Sequence, residues 1–171
     1  MNLIPSDIVE RTWKEREGAS QKEVSEAIEL MRKEQPVLLD HLITVGEDIL
    51  NQDERTLLLC LGMVIWQIMS QGDTPLPKIT EKMLDEAENS NIKLLEYLNT
   101  ETDTDFMDTF VAVLKHYPQP ELLKFISKAL IEAPKKLDCP IRGGKYYKEL
   151  MLIRLKIVID CLNREPKEKE A

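Results

Sequence analysis

Residues 57–69 read LLLCLGMVIWQIM, and Gln67 is the one strongly polar side chain in the run. A helix that is apolar on nearly every side must be surrounded by other helices. The run is too short to cross a bilayer, which needs about 20 apolar residues. Asp53 is suited to cap such a helix at its start and Gly72 to end it. The pattern therefore predicts a buried helix over about residues 54–71, at the centre of the fold.

The segments on both sides of this run carry apolar residues every three or four positions, a spacing typical of amphipathic helices. Ser20 and Glu23 have the spacing of a capping box, and Pro36 suits the first turn of the next helix. The segment 79–99 is predicted to form one helix with poor local propensity around Asn89-Ser90-Asn91, and two shorter pieces are the alternative. The other predicted helices end at Gly18, near Glu34, at residue 50, at Tyr117, before Pro134 and near residue 163.

The composition supports one all-α domain. The chain has 171 residues, 43% of them hydrophobic, with only 5% aromatic residues and 6 glycines, a composition that disfavours both disorder and sheets. We expect a single-domain antiparallel helical bundle, or a short irregular α-α array, of seven to eight helices around the central apolar helix. Residues 1–163 would form the domain, with 1–18 as an N-terminal arm helix and 164–171 as a charged, frayed tail. Two hairpins, 38–69 and 106–133, hint at repetition, but an irregular bundle is favoured over a repeat solenoid.

Charge and cysteine content indicate the environment and the partners. Three cysteines without a Cys-x-x-Cys pair, and a start without a basic stretch followed by an apolar run, lead us to expect a cytoplasmic protein with reduced thiols. The net charge of −8 disfavours nucleic acid and anionic membranes as partners. Residues 134–171, however, carry 10 Lys and Arg against 6 Asp and Glu, while residues 1–133 carry 13 against 25. This asymmetry directs attention to the basic segment.

The sequence lacks the familiar signatures of catalysis and metal binding. His41 and His116 lie at the edges of their apolar arcs, with no second histidine or cysteine three or four residues away. The aspartates at 103, 105 and 108 lack the glycine and the final glutamate of a calcium loop, so helix capping explains them better. We therefore assign no catalytic, metal or cofactor-binding residue. Enzyme activity stays open, and a non-enzymatic role is favoured.

One basic, glycine-containing loop leads into the last predicted helix and is a candidate site for an anion. Helix N-termini present unpaired N–H groups and partial positive charge, and glycines let a ligand approach the backbone. Arg154 falls within the apolar arc of that helix, where a guanidinium needs a carboxylate, either from this chain or from a ligand. The alternative is an ordinary turn with an internal ion pair. The tentative anion-binding residues are Arg142, Gly143, Gly144, Lys145, Tyr147 and Arg154.

These observations favour a non-catalytic interaction or adaptor module that binds another protein, or a second copy of this chain, through a helical face or groove. Trp13, and Trp66 with Met63 and Met69, are candidates for such a groove, although Met and Trp at helical spacing are more often core residues. The alternative is a small-molecule site, sensory or enzymatic, for phosphate or a carboxylate at Arg142, Lys145, Tyr147 and Arg154.

Overall fold

The computed structural model describes residues 1–97, 112–136 and 145–165, and their side chains except those of 95, 97, 133–136, 145 and 146. Helix is the only regular secondary structure in these ranges, which confirms the predicted all-α class. A short helical stretch covers 112–116. The other helices are α1 (Ser6–Glu17), α2 (Gln21–Glu34), α3 (Pro36–Thr44), α4 (Gln52–Met69), α5 (Glu81–Ser90), α6 (Ile92–Tyr97), α7 (Pro120–Lys136) and α8 (Lys145–Leu162).

Side-chain caps begin three of the helices. Ser20 accepts a hydrogen bond from the Glu23 backbone N–H at the start of α2, which is one of the two bonds of the predicted capping box. At the start of α4, Asn51 and Glu54 form a reciprocal capping box with two bonds of 2.8 Å, so the cap is Asn51 and not Asp53. Asn51 precedes Glu54 by three residues, which is the spacing that a capping box requires. Thr80 caps α5 with a single bond, which its hydroxyl accepts from the Met83 backbone N–H.

Helix α4 is central, as predicted, and packs against α1, α2, α3 and α8. Its side chains from Leu61 to Trp66 are all buried. Gly62 permits the close approach of α3, because a Cβ atom at this position would lie 2.6 Å from both methyl carbons of Leu42. Packing α3 this tightly removes most of its apolar face from water, which stabilises the fold.

Helix α8 is a second central helix, which the sequence did not reveal. From Leu150 to Leu162 its side chains are buried except Arg154 and Asp160. It packs against α4, α5, α6 and α7. The core is therefore built around an α4–α8 pair. The charged residues within α8 concealed its burial in the sequence, because charged residues usually indicate a helix face that is exposed to water.

Three predicted helix boundaries were wrong. Helix α3 ends at Thr44 and not at residue 50, because Val45 is extended and Gly46 has a φ of +76°, which the right-handed helix excludes. The segment 79–99 is broken at Asn91 into α5 and α6, which is the alternative of two pieces. Helix α7 continues through Pro134 to Lys136, so proline only removes one backbone hydrogen bond in its last turn.

The N-terminal residues pack onto the body of the fold. Helix α1, considered above as an arm, contacts α4 and α7 and buries Val9. Before it, buried Ile4 donates its backbone N–H to the Gln119 Oε1 at 3.0 Å. No helix in the described part of the chain is both long and apolar enough to cross a membrane. The predicted tail lies largely outside the described residues, since 166–171 are not among them.

Candidate functional site

The predicted anion site is only partly within the described residues. Arg142, Gly143 and Gly144 lie outside them, and Lys145 is described only as the first residue of α8. Tyr147 is half-buried and packs against the core. The structure therefore does not show whether these residues come together, and their role as a binding site stays a prediction.

Arg154 forms an ion pair with a carboxylate of this chain. Its Nη1 donates to the Glu88 Oε1 at 2.8 Å, and the two side chains are 20% and 44% exposed. A second pair, Arg164 with Glu86 at 2.8 Å, likewise joins the C-terminal part of the chain to α5. Each bond is charge-assisted, yet pairs that remain this accessible to water contribute only about 0–1 kcal/mol. The guanidinium that motivated the anion site thus has a partner within this chain, which agrees with the alternative of an internal ion pair.

The two histidines have different surroundings. His41 is half-buried, and burial, followed by the nearby positive charge of Arg154, lowers its pKa. Its Nε2 is buried without a hydrogen-bond partner. The imidazole is therefore neutral at pH 7. His116 is exposed.

A buried polar network on α8 is the strongest electrostatic feature that the sequence analysis missed. Lys156 is only 8% exposed, and its Nζ donates to the Asn91 Oδ1 at 2.6 Å and to the Asp160 Oδ2 at 2.8 Å. Asn91 and the Tyr117 hydroxyl both donate to Asp160, at 2.9 and 2.5 Å. The lysine also lies over the Tyr117 ring, 5.1 Å from its centroid. The i,i+4 spacing of Lys156 and Asp160 inside an apolar run was the available signal.

This network has the chemistry of a structural site. Burial, and then the carboxylate of Asp160, raise the pKa of Tyr117 well above its usual value, so the phenol stays protonated and donates. Each main charge in the network is paired and hydrogen-bonded, a condition that buried ionic groups must meet. Its residues line neither the groove that is described below nor a smaller cleft between α1, α2 and α4.

The described thiols are not activated nucleophiles. Burial raises the pKa of Cys161 to about 12, and it also raises the pKa of Cys60. Both are therefore protonated at neutral pH, while nucleophilic catalysis needs the thiolate. Cys139 lies outside the described residues. Within the parts of the chain that are described, no three His, Cys, Asp or Glu residues form a group suited to hold a metal ion.

An open groove of about 400 Å³ runs between α1 and α7. Trp13 on α1 and Phe125 on α7 meet edge-to-face in it, with ring centroids 5.3 Å apart and planes at 64°. Both aromatic side chains are half-buried and line the groove. Val9 and Ala129 extend this apolar floor. Aromatic and aliphatic side chains left partly open to water in a groove are typical of a binding surface.

The rim of the groove is charged, and its charges follow the same order on both helices. On α1, Lys14 stands between Glu10 and Glu17 in the sequence. On α7, two lysines stand between two glutamates, and Lys124 lies 3.1 Å from Glu121. On each helix, the lysines thus lie in the middle of the segment that lines the groove, and the glutamates lie toward its ends. The rim residues on α7 are Glu121, Lys124, Lys128 and Glu132.

The sequence analysis gave Trp13 as a candidate for a groove, and Trp13 lines one in the structure. The other candidates do not line this groove. Trp66, Met63 and Met69 are all buried in the core of α4, which was the favoured interpretation of their spacing. Phe125, which the sequence analysis did not single out, packs partly against the core and completes the groove. No protein-family model matches this sequence, and no curated protein or solved structure is significantly similar to it.

Proposed function

We propose that this protein is a non-catalytic interaction module, and that the groove between α1 and α7 binds an amphipathic helix of another protein. The observation that carries the proposal is the partly open aromatic pair, Trp13 and Phe125, on the groove floor. Apolar residues of a partner helix at positions i, i+3 or i+4 and i+7 would cover this floor. Trp side chains in such pockets often supply much of the binding energy.

The charges of the rim define the partner more closely. Lysines in the middle of the rim favour acidic side chains beside the central apolar anchor of the partner helix. Glutamates toward the ends favour basic side chains about one turn away in each direction. The net charge of −8 adds a long-range attraction for a partner that is positive overall. The expected occupant is therefore an amphipathic helix, acidic at its centre and basic at its flanks.

Site-specific photocrosslinking in living cells tests the proposal. A photoreactive amino acid at Lys128, on the rim, should crosslink a defined protein, whereas the same amino acid at Lys82, exposed on α5, should not. The crosslinked peptide should have the amphipathic pattern described above. Equal capture at both positions, or a peptide without an apolar stripe, would contradict the proposal. A crosslinked product of two copies of this chain would indicate a homodimer in place of a separate partner.

Binding measurements with the purified partner complete the test. Lys124→Glu with Lys128→Glu reverses two exposed charges, so the fold should be retained while affinity falls about tenfold or more. Lys82→Glu is the matched control and should bind as the wild type does. Trp13→Ala should abolish most binding, and circular dichroism establishes that the variant is folded. Unchanged affinity in the charge-reversal variant would rule out this groove.

A further inference from the structure

Helices α1 and α7 run in the same direction along the groove. Just before they begin, the Gln119 Oε1 accepts from the Ile4 N–H and its Nε2 donates to the Asn2 carbonyl, each at 3.0 Å. Farther along both helices, the rings of Trp13 and Phe125 meet with centroids 5.3 Å apart. Both helices thus leave one shared contact and reach a second one, so residues on the two walls of the groove can be compared level by level.

The rim charges consequently form three bands across the groove, one acidic, one basic and one acidic. Each glutamate of the rim lies three or four residues from the nearest lysine of its own helix, which is about one helical turn. The order of the bands is therefore the same from either end of the groove. From the end where the helices begin, the bands are Glu10 with Glu121, then Lys14 with Lys124 and Lys128, and finally Glu17 with Glu132.

This order makes the groove unsuited to a second copy of the chain. In a twofold dimer, the groove of one copy faces the same groove of the other. An axis along the groove keeps the direction of the bands and an axis across it reverses them, but in both cases lysines face lysines and glutamates face glutamates. Sliding one copy by a turn would pair two of the bands, but it would leave one acidic band and part of the apolar floor of each copy uncovered.

We propose, on the basis of the function proposed above, that this order of charges excludes a second copy of the chain from the groove and reserves the groove for a different protein. The partly open Trp13 and Phe125 alone would favour self-association, since exposed apolar patches are frequent association sites. Like charges that face each other across an interface suppress such a wrong partner. A helix with an acidic centre and basic flanks meets all three bands, and it does so in either direction.

A charge-inverted chain tests this inference without the cellular partner. It exchanges lysine and glutamate at all seven charged positions of the rim, so that its bands are basic, acidic and basic. These side chains are exposed, or half-buried in the case of Glu121, so the fold should be retained, which circular dichroism would establish. The substitutions are Glu10→Lys, Lys14→Glu, Glu17→Lys, Glu121→Lys, Lys124→Glu, Lys128→Glu and Glu132→Lys.

Sedimentation velocity at about 0.15 M salt, where repulsion between distant charges is screened, measures the association. The wild type and the inverted chain should each be monomeric alone, whereas their equimolar mixture should form a heterodimer, at least about tenfold tighter than either self-association. Adding Trp13→Ala to the inverted chain should abolish this pairing. Lys22→Glu with Glu26→Lys, which inverts an exposed pair of α2, is the matched control and should not associate with the wild type.

A rim-neutral chain keeps the test decisive if the inverted chain does not fold. Replacing the same seven residues with glutamine removes the like charges and retains the aromatic floor, so this chain should self-associate until Trp13→Ala is added. A rim-neutral chain that stayed monomeric would then overturn the proposal. So would a mixture that associates no more tightly than either chain alone, or a wild-type dimer that Trp13→Ala dissociates. These outcomes are separate from the proposed function, which fails if no partner is crosslinked at Lys128 whatever the two chains do together.

Discussion

Replacing Asp160 with leucine should destabilise the protein more than any other change in the buried network. Among the described residues, the substitution leaves the ammonium of Lys156, 8% exposed, with the Asn91 oxygen and the Tyr117 ring as its remaining partners. Breaking a buried ion pair by removing one partner costs about 3–5 kcal/mol. The Asp160 side chain is 23% exposed, so some water can replace it and the lower end, about 3 kcal/mol, applies. For a chain of this size the melting temperature should fall by about 6–12 °C.

Replacing Lys156 should reduce stability less than replacing Asp160 does, and the effects of the two substitutions should be coupled. Lys156→Met leaves a partly exposed carboxylate that still accepts from Asn91 and Tyr117, at a cost of about 1–2 kcal/mol. The double variant should lose less than the sum of the single losses, by at least about 1 kcal/mol. Urea denaturation followed by circular dichroism measures all three.

An exposed pair on α2 with the same i,i+4 spacing is the matched control. Lys22 and Glu26 are 86% and 65% exposed, and the corresponding Met and Leu changes should alter stability by less than about 0.5 kcal/mol. If Asp160→Leu lost less than about 1 kcal/mol, or if its effect simply added to that of Lys156→Met, the network would not be a buried, mutually dependent unit.

The remaining predictions concern packing, pH and the Arg154 ion pair. Gly62→Ala should lower the free energy of unfolding by about 1–3 kcal/mol in urea denaturation, since the new methyl group would clash with Leu42. Because the pKa of His41 is lowered in the folded state, the unfolded chain takes up a proton at this residue first, so the free energy of unfolding should fall as pH drops below about 6.5. In denaturation curves recorded over a series of pH values, His41→Gln should reduce that fall. Arg154→Met and Glu88→Gln should each cost at most about 1 kcal/mol, and the double variant no more, while a rise in melting temperature with phosphate that Arg154→Met removes would instead support the basic site.

The helices could be predicted because their signals are local. Ser20 before Glu23, Pro36 and the run around Trp66 each report on a few neighbouring residues, and a helix begins at Gln21, begins at Pro36 and spans the run, as these signals predict. One error arose where a distant contact accompanies a break in the helix. Asn91 breaks the predicted single helix where its side chain donates to Asp160, 69 positions later in the sequence. Apolar periodicity alone continues through such a position and cannot register it.

Only part of the candidate surface could be predicted, for a related reason. The sequence identified Trp13 as an aromatic residue that a partner could contact, but whether it is covered depends on which helix packs beside α1. Phe125 has the spacing of an inward residue, and only the crossing of α1 and α7 leaves it half-open. The position of Arg154 within the apolar arc of its helix was anticipated, whereas its partner Glu88 was not, because the pair joins two helices far apart in the sequence.

Contacts outside the lining of the groove join the segments that lead into its two helices. Gln119, just before α7, is 1% exposed; its Oε1 accepts from the Ile4 N–H, while its Nε2 donates to the Asn2 carbonyl and to the Asn163 Oδ1, each bond being 3.0 Å. One side chain thus ties the segments that lead into α1 and α7 to the end of α8. A surface whose walls are fixed in this way need not be ordered when a partner binds, so more of the contact energy appears as affinity. Rigid walls also favour a partner whose shape already matches them, and a helix, with its fixed spacing of side chains, meets that requirement better than an extended segment.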